Sequence, residues 1–440
     1  MSSLTMTRPE EMTALEARKA MDRGDLTALA LVEACLERIV AREPLVEAWV
    51  HLDPDGARRR ARELDGGPSG GLLHGVPFGA KDIIDSHDQP AAYGSPIYAG
   101  HRPPWDGATI ALARAAGAVM IGKTVTTEFA NRHAGPTRNP HRREHTPGGS
   151  SSGSASAVAD FHVPLALGTQ TGGSVLRPAA YCGIYGYKPS YQHFGNAGVR
   201  TNTEAFDTVG VMARSAADLA LMRAAIAELP FRAADPDVVS APRIALCRTP
   251  HWDRAQPEAR DAIEAARLAL ADAGGTMVEL ELPAAFDGLN AAHKLICGFE
   301  SVRNYADELR REPERISGDF YRERVEVGMA ASMTQFRDAM KLGIHCRRWI
   351  DEAFAAQRID AILTPSAEGE APAGIRSTGS PIFNFLWTHL YMPAVTLPHA
   401  TGPSGLPVGV QLVGRRHEDE HLLDVVAWAD RALAPASGAS

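Results

Sequence analysis

Apolar and polar positions along the chain recur with the periods of helices and buried strands in turn. Residues 5–50 carry apolar side chains three or four positions apart, which predicts two amphipathic helices separated by a turn at 23–25. The other predicted elements, in chain order, are a buried strand within 72–82, a helix and a strand over 108–121 and again over 155–167, a helix at 216–227, a strand at 244–246, a helix at 256–273, mostly helix over 284–355, and a strand at 361–363. This alternation predicts an α/β sheet with helices on its faces.

Composition narrows the class of protein. Hydrophobic residues make up 45% of the 440 residues and charged residues 22%, as in ordinary soluble globular proteins. The formal net charge of -8 weighs against nucleic acid or an anionic membrane as the main partner. No apolar run approaches the roughly 20 residues of a membrane helix. Five widely spaced cysteines without a CxxC pair, together with a polar N-terminus, favour reduced thiols in the cytoplasm.

Two glycine- and serine-rich clusters are the most informative part of the chain. They span residues 148–154 and 169–174, and the serines Ser150 and Ser174 lie 24 residues apart. Glycine lets backbone approach a reacting group closely and adopt conformations closed to other residues. A flexible linker is also rich in glycine and serine, but it would not contain the helix-like and strand-like apolar residues between these clusters.

Lys81 ends the apolar segment 76–80, where burial would lower its pKa and provide a neutral amine. Most lysines at strand ends simply reach solvent. Together with the two glycine-flanked serines, Lys81 is a candidate base for a Ser–Lys arrangement. Residues 171–174 could present successive backbone N–H groups to an oxyanion, or they could form a tight turn capped by Ser174.

Residues 146–189 resemble the signature segment of the amidase signature family. The match consists of Pro-Gly-Gly-Ser-Ser at 147–151, Ala-Leu-Gly-Thr at 166–169, Thr-Gly-Gly-Ser at 171–174, Arg-Pro-Ala-Ala-Tyr-Cys-Gly at 177–183 and Gly-Tyr-Lys-Pro at 186–189. Similar motifs occur at 74–82, 122–130, 207–210, 393–395 and 405–411, whereas 284–380 does not align.

The resemblance implies a catalytic set of Ser174 as nucleophile, Ser150 as bridging serine and Lys81 as base. Ser150 is chosen over its two neighbours because the family's bridge is the first serine of its cluster, which follows a cis peptide bond. The oxyanion hole would be formed by the backbone N–H groups of Thr171, Gly172, Gly173 and Ser174. The supporting residues would be Ser151, Thr169 and Gln170, and no metal or organic cofactor is implied.

Two positions depart from the family pattern. Ser152 replaces a glycine, and Gln170 stands where many members carry aspartate. Gln170 together with Arg177 resembles the malonamidase-like branch, in which the arginine binds a substrate carboxylate. Arg177 and Gly149 are therefore expected to bind substrate. The alternative is that Arg177 holds a local carboxylate or carbonyl and never meets substrate.

The resemblance also implies the architecture: one α/β domain over 1–440, with a mixed, twisted central sheet and helices on both faces. Residues 1–60 are expected to form an N-terminal helical arm that supports a homodimer. Residues 72–230 are expected to form the catalytic core. Residues 284–390 are expected to form a helical lid or pocket wall. Aromatic residues near its end could line the pocket or belong to the core: Phe383, Phe385, Trp387 and Tyr391.

The expected activity is hydrolysis of linear C–N bonds in small carboxamides, aryl amides or carbamates, with esters as further substrates. Two alternatives stand beside it: an A-type subunit of a tRNA-dependent glutamine amidotransferase, and a silent scaffold of the same fold. The sequence 417–421 fits the letters of the zinc motif His-Glu-x-x-His, but its heavy charge is typical of an exposed helix start, so no metal is expected.

Overall fold

The computed structural model describes residues 8–434. One sheet contains the eleven strands found in this range: β1 (Trp49–Leu52), β2 (Pro77–Lys81), β3 (Val119–Thr124), β4 (Leu165–Gln170), β5 (Tyr185–Lys188), β6 (Thr208–Ala213), β7 (Arg243–Leu246), β8 (Thr276–Glu279), β9 (Ala361–Pro365), β10 (Ala394–Thr401) and β11 (Pro407–Gly414).

The strand order across the sheet is β1-β3-β2-β4-β6-β5-β10-β11-β9-β7-β8. Strand β2 runs parallel to both β3 and β4, and β7 runs parallel to both β8 and β9. The remaining neighbours are antiparallel. The sheet is therefore mixed, as predicted.

The α-helices of the described residues are α1 (Ala14–Asp22), α2 (Ala28–Val46), α3 (Pro54–Asp65), α4 (Ala108–Ala115), α5 (Ser152–Ala159), α6 (Leu176–Cys182), α7 (Ala216–Ile226), α8 (Pro257–Asp272), α9 (Leu289–Asn304), α10 (Ala306–Arg311), α11 (Gly318–Phe320), α12 (Glu326–Ala330), α13 (Met333–Gln357), α14 (Phe385–His389) and α15 (Asp419–Leu433).

Helices cover both faces of the sheet. Adjacent residues of a strand point to opposite faces, so a strand with apolar side chains throughout needs a core on each side. Leu165 and Leu167 of β4 belong to a core that includes residues of α4, α7, α8 and α15. Ala166, between them, belongs to a second core built with α2, α3, α5 and α6. These two cores confirm the predicted α/β domain with helices on both sides.

The predicted elements are largely confirmed, with one correction near the N-terminus. The helical arm ends at Val46, and the chain then forms β1, which pairs with β3 at the edge of the sheet. Residues 49–52 are thus a strand, because Trp49 is buried against the second core and the backbone finds ladder partners there. Residues 5–7 of the predicted first helix lie outside the described residues.

From residue 8 to residue 434, the structure contains no helix with the length and apolar character needed to cross a membrane. All five cysteines are buried and unbridged.

Candidate active site

The site begins where two parallel strands end side by side. Ala80 of β2 pairs with Leu167 of β4, so Lys81 and Thr169 lie at the carboxyl ends of these two neighbouring parallel strands. The Lys81 side chain is fully buried. Its Nζ lies 2.7 Å from Ser150 Oγ, 2.8 Å from Thr169 Oγ1 and 3.3 Å from the Thr169 carbonyl oxygen.

The surroundings of Lys81 favour its neutral form. Burial lowers the pKa of Lys81 well below its ordinary range, because the charged ammonium loses its hydration. The carboxylate of Asp207 acts in the opposite direction and raises that pKa, but burial is the larger effect. The neutral form of this amine has a lone pair that can accept a proton.

The two serine clusters meet through their backbones. The Gly149–Ser150 peptide bond is cis, as the resemblance implies, and Ser150 lies just before α5. Ser151 N donates to the Ser174 carbonyl at 3.4 Å, which places the clusters side by side. Ser151 Oγ also donates to the Thr169 carbonyl at 3.2 Å and accepts from Thr169 N at 3.3 Å. Within residues 8–434, no hydrogen bond links the Ser174 hydroxyl to Ser150.

Gln170 holds the second cluster with both ends of its amide. Its Oε1 accepts from the backbone N–H groups of Val175 and Leu176, at 2.9 and 3.1 Å. Its Nε2 donates to Thr388 Oγ1 at 3.0 Å, and that hydroxyl donates to the Gly172 carbonyl at 2.8 Å. An ionised aspartate could accept from the N–H groups but could not donate to Thr388. The glutamine therefore stabilises the 171–174 loop through its hydrogen bond to Thr388, which an ionised aspartate could not form.

Asp207 belongs to the site although the sequence does not predict it as a site residue. It is buried and accepts from Thr171 Oγ1 and from the backbone N–H groups of Asn202 and Thr203. Burial raises the pKa of Asp207, and its hydrogen bonds oppose that rise. The only sequence signal is that Asp207 opens one of the outlying motifs of the resemblance, at 207–210.

A cavity of about 270 Å³ opens beside Ser174, which is 8% exposed. Gly172 and Gly173 form one wall. A Cβ atom at Gly172 would lie 2.5 Å from the Phe385 ring, and one at Gly173 would lie 2.4 Å from Asn384 Oδ1. Only glycine fits this close approach, so the wall presents backbone to the cavity.

Arg177 lines the cavity and also holds the first cluster. Its Nη2 donates to the Gly149 carbonyl and to Thr378 Oγ1. Its Nε and Nη1 are buried and have no hydrogen-bond partner in the described part of the chain. Burial lowers the pKa of Arg177 to about 10, so the guanidinium stays charged at neutral pH. Gly149 lies behind Arg177 and is not among the residues that line the cavity.

A family model described as Amidase matches residues 30–423, which is well over half of the chain. The chain belongs to the amidase family.

The relatives of this chain carry different names. The A subunit of the glutamyl-tRNA(Gln) amidotransferase of Roseiflexus sp. (strain RS-1) is 33% identical over 96% of this chain and 96% of its own. The peptide amidase from Stenotrophomonas maltophilia has a TM-score of 0.81 and 29% identity, covering 96% and 97% of the two chains. A chain from a vestigial protein complex that reveals the evolutionary origins of an s-triazine catabolic enzyme has a TM-score of 0.87 and 26% identity. The match covers 96% of this chain and 98% of that chain.

These names do not single out the malonamidase-like branch, because several curated relatives of the amidase are amidotransferase A subunits. The placement in that branch, which rests on Gln170 and Arg177, stays a prediction.

The structure of the amidase brings most predicted site residues together. Lys81, Ser150, Ser151 and Thr169 share one buried hydrogen-bonded cluster. Residues 171–174 and Arg177 line the cavity beside it. Among the four aromatic residues, Phe385 lines the cavity, Phe383 and Trp387 are buried in the core, and Tyr391 stacks on Tyr191.

Proposed function

We propose that this amidase cleaves C–N amide bonds through an acyl-enzyme formed on Ser174, with Ser150 and Lys81 as its proton relay. The observation that carries the proposal is the buried Lys81 amine, 2.7 Å from Ser150 Oγ. A neutral amine has two N–H groups and one lone pair. The two N–H groups can serve Thr169 O and Oγ1, which leaves the lone pair for the Ser150 hydroxyl proton.

In the proposed step, Ser174 Oγ bonds to the amide carbonyl carbon while its proton passes to Ser150, whose own proton passes to Lys81. The tetrahedral intermediate collapses, the C–N bond breaks, and the relay returns a proton to the departing amine. Water then attacks the acyl-enzyme by the same route and releases the acid. No cofactor is needed for these transfers.

The developing oxyanion would be held by backbone N–H groups of Thr171, Gly172, Gly173 and Ser174. Support for this role comes from the anchors on both sides of the loop. Thr171 donates to Asp207, and the Gly172 carbonyl accepts from Thr388. A loop fixed in this way loses little free energy to reorganisation when charge develops.

The proposed substrates are small carboxamides, aryl amides, esters and carbamates. Arg177 would bind a substrate carboxylate, because it lines the cavity and its guanidinium is charged at neutral pH. We propose a cytoplasmic enzyme, because all five of its cysteines are unbridged.

Labelling with a fluorophosphonate probe, together with ammonia release from a panel of amides, tests the proposal. We expect the probe to label Ser174 in the parent protein and to label Ser174→Ala not at all. Ser150→Ala and Lys81→Met should slow ammonia release by about a thousandfold or more, because relay residues act as a unit. Ser152→Gly, which restores the family's common residue, is the matched control and should keep its activity. Unlabelled but folded parent protein would favour the silent scaffold.

A second candidate function is favoured by the curated relatives: an amidotransferase A subunit that releases ammonia from glutamine for partner chains. The relative named above is 33% identical over 96% of both chains, which supports this candidate more directly than a stand-alone hydrolase. It would add protein partners to the small-molecule partner predicted from the sequence. Partner subunits that co-purify, with glutamine hydrolysis that depends on them, would establish it. Glutamine hydrolysis by the isolated chain at a rate that added partner subunits do not increase would exclude the amidotransferase function.

A further inference from the structure

The cavity beside Ser174 is strongly cationic. Its lining contains five cationic side chains and one anionic side chain, namely Arg132, Arg177, Lys294, Arg322, Arg324 and Glu323. The chain as a whole carries a formal charge of -8, so this concentration of positive charge is local. Such a field favours an anionic ligand over a neutral one.

Two of the cations already have acidic partners. Arg132 Nε lies 3.1 Å from Glu323 Oε2, and Arg322 pairs with Asp319. The other three, Arg177, Lys294 and Arg324, form no ion pair with any residue in the range 8–434. One substrate carboxylate at Arg177 would leave two of these cations uncompensated.

Arg324 and Lys294 contribute this excess charge to the cavity from helical segments far along the chain from the serine clusters. Lys294 lies on α9, and Arg324 lies in a turn of π-helix at Tyr321–Val325. Arg324 Nε is buried and has no hydrogen-bond partner in the described chain. The charge of Arg324 has no acidic partner within residues 8–434, and a carboxylate bound in the cavity would compensate it.

The same lining disfavours a substrate ammonium group. Glu323 is the one acidic side chain among the cavity residues that the structure describes, and Arg132 already occupies it. An ammonium in the cavity would therefore face several positive charges without a free carboxylate to bind it.

On the basis of the proposed amide hydrolysis, we propose that Arg324 and Lys294 form a second anion subsite, separate from Arg177. The preferred substrate is a carboxamide that carries two carboxylates and no ammonium group. Arg177 binds one carboxylate near the reacting carbonyl, and the second reaches Arg324 and Lys294 on the helical wall.

Four primary amides test this selectivity by kcat/KM: pentanamide with no carboxylate, glutaramate with one, glutamine with one carboxylate and an ammonium, and tricarballylic acid monoamide with two. We expect the tricarballylic monoamide to exceed glutaramate, and glutaramate to exceed both pentanamide and glutamine. Arg324→Gln should lower kcat/KM for the two-carboxylate amide by about tenfold, mainly through KM, and leave glutaramate nearly unchanged. Arg311→Gln removes a cation that forms an ion pair on α10 outside the cavity, and should change neither.

Binding of tricarballylic acid monoamide to the Ser174→Ala variant, measured by calorimetry, provides a readout that needs no turnover. Adding Arg324→Gln to this variant should weaken the binding about tenfold, and adding Arg311→Gln instead should not. The subsite proposal is overturned if tricarballylic acid monoamide binds no better than glutaramate, or if Arg324→Gln affects every amide equally. Failure of the fluorophosphonate probe on Ser174 would instead overturn the proposed hydrolysis itself.

Discussion

A buried lysine and a buried aspartate set the acid–base behaviour of the site at the scale of single residues. Burial moves the pKa of Lys81 down, and Asp207 moves it up by a smaller amount. Asp207 also accepts a hydrogen bond from Thr171, so one carboxylate is linked to both the proton relay and the proposed oxyanion loop. Its two roles can be separated by substitution.

Replacing Asp207 by asparagine should move the acidic limb of the pH profile to lower pH. The relay needs neutral Lys81, so activity falls as pH drops through the pKa of Lys81. Because Asp207 raises that pKa, its removal lowers the pKa, and the acidic limb of kcat/KM should shift to lower pH.

Thr171→Val is the matched control, because it removes the hydrogen bond to Asp207 and keeps the carboxylate. It should lower kcat without moving the acidic limb. A limb that moves to higher pH in Asp207→Asn, or equally in both variants, would contradict the electrostatic role of Asp207.

At the scale of elements, the first turn of α5 is held against the sheet by a glycine. Gly153 N donates to the Val125 carbonyl at 3.0 Å, just beyond the end of β3. A Cβ atom at Gly153 would lie 2.2 Å from the Ala48 carbonyl oxygen and 2.3 Å from Val125 N. Both contacts are with backbone, which cannot rotate away as a side chain can.

Gly153→Ala should therefore destabilise the fold, although alanine is the better helix former. Helix propensity alone would stabilise the variant by about 1 kcal/mol. Overpacking against backbone costs about 1–3 kcal/mol or more and should outweigh that gain. Denaturant unfolding measures the free energy of unfolding directly. Gly70→Ala, where the nearest atom to the new Cβ lies 3.9 Å away, is the control and should change stability little. Unchanged or increased stability in Gly153→Ala would show that α5 can shift freely on the sheet.

The catalytic half of the site is predictable from the sequence because its residues lie in local patterns. Ser150 and Ser174 are flanked by glycines, and Lys81 ends an apolar run. The cationic side chains of the cavity are not predictable. Lys294 and Arg324 lie in charged helical segments of the sequence, and only the tertiary fold places them beside Ser174. Strands β5, β6, β10 and β11 also go unpredicted as separate elements, because they are mostly buried on both faces and lack alternation.

The whole molecule combines two electrostatic fields of opposite sign around its cavity. The formal charge of -8 repels an anionic substrate at long range, whereas the cavity cations attract it at short range. Salt screens exposed charges beyond a Debye length of about 8 Å at physiological ionic strength. The sign of the salt effect therefore reveals which field governs the encounter with substrate.

We expect kcat/KM for tricarballylic acid monoamide to fall as ionic strength rises from about 0.01 M to about 1 M, over which the Debye length shrinks from roughly 30 to 3 Å. The reason is that Lys294 is exposed at the cavity and forms no ion pair within residues 8–434, so its charge attracts the arriving carboxylates at short range. Pentanamide, which carries no charge, reports salt effects on the protein itself and should stay constant. Lys294→Gln should flatten the salt dependence of the diacid amide. A rate that rises with salt would mean that the overall negative charge dominates, and that the cavity cations act only after the substrate has entered.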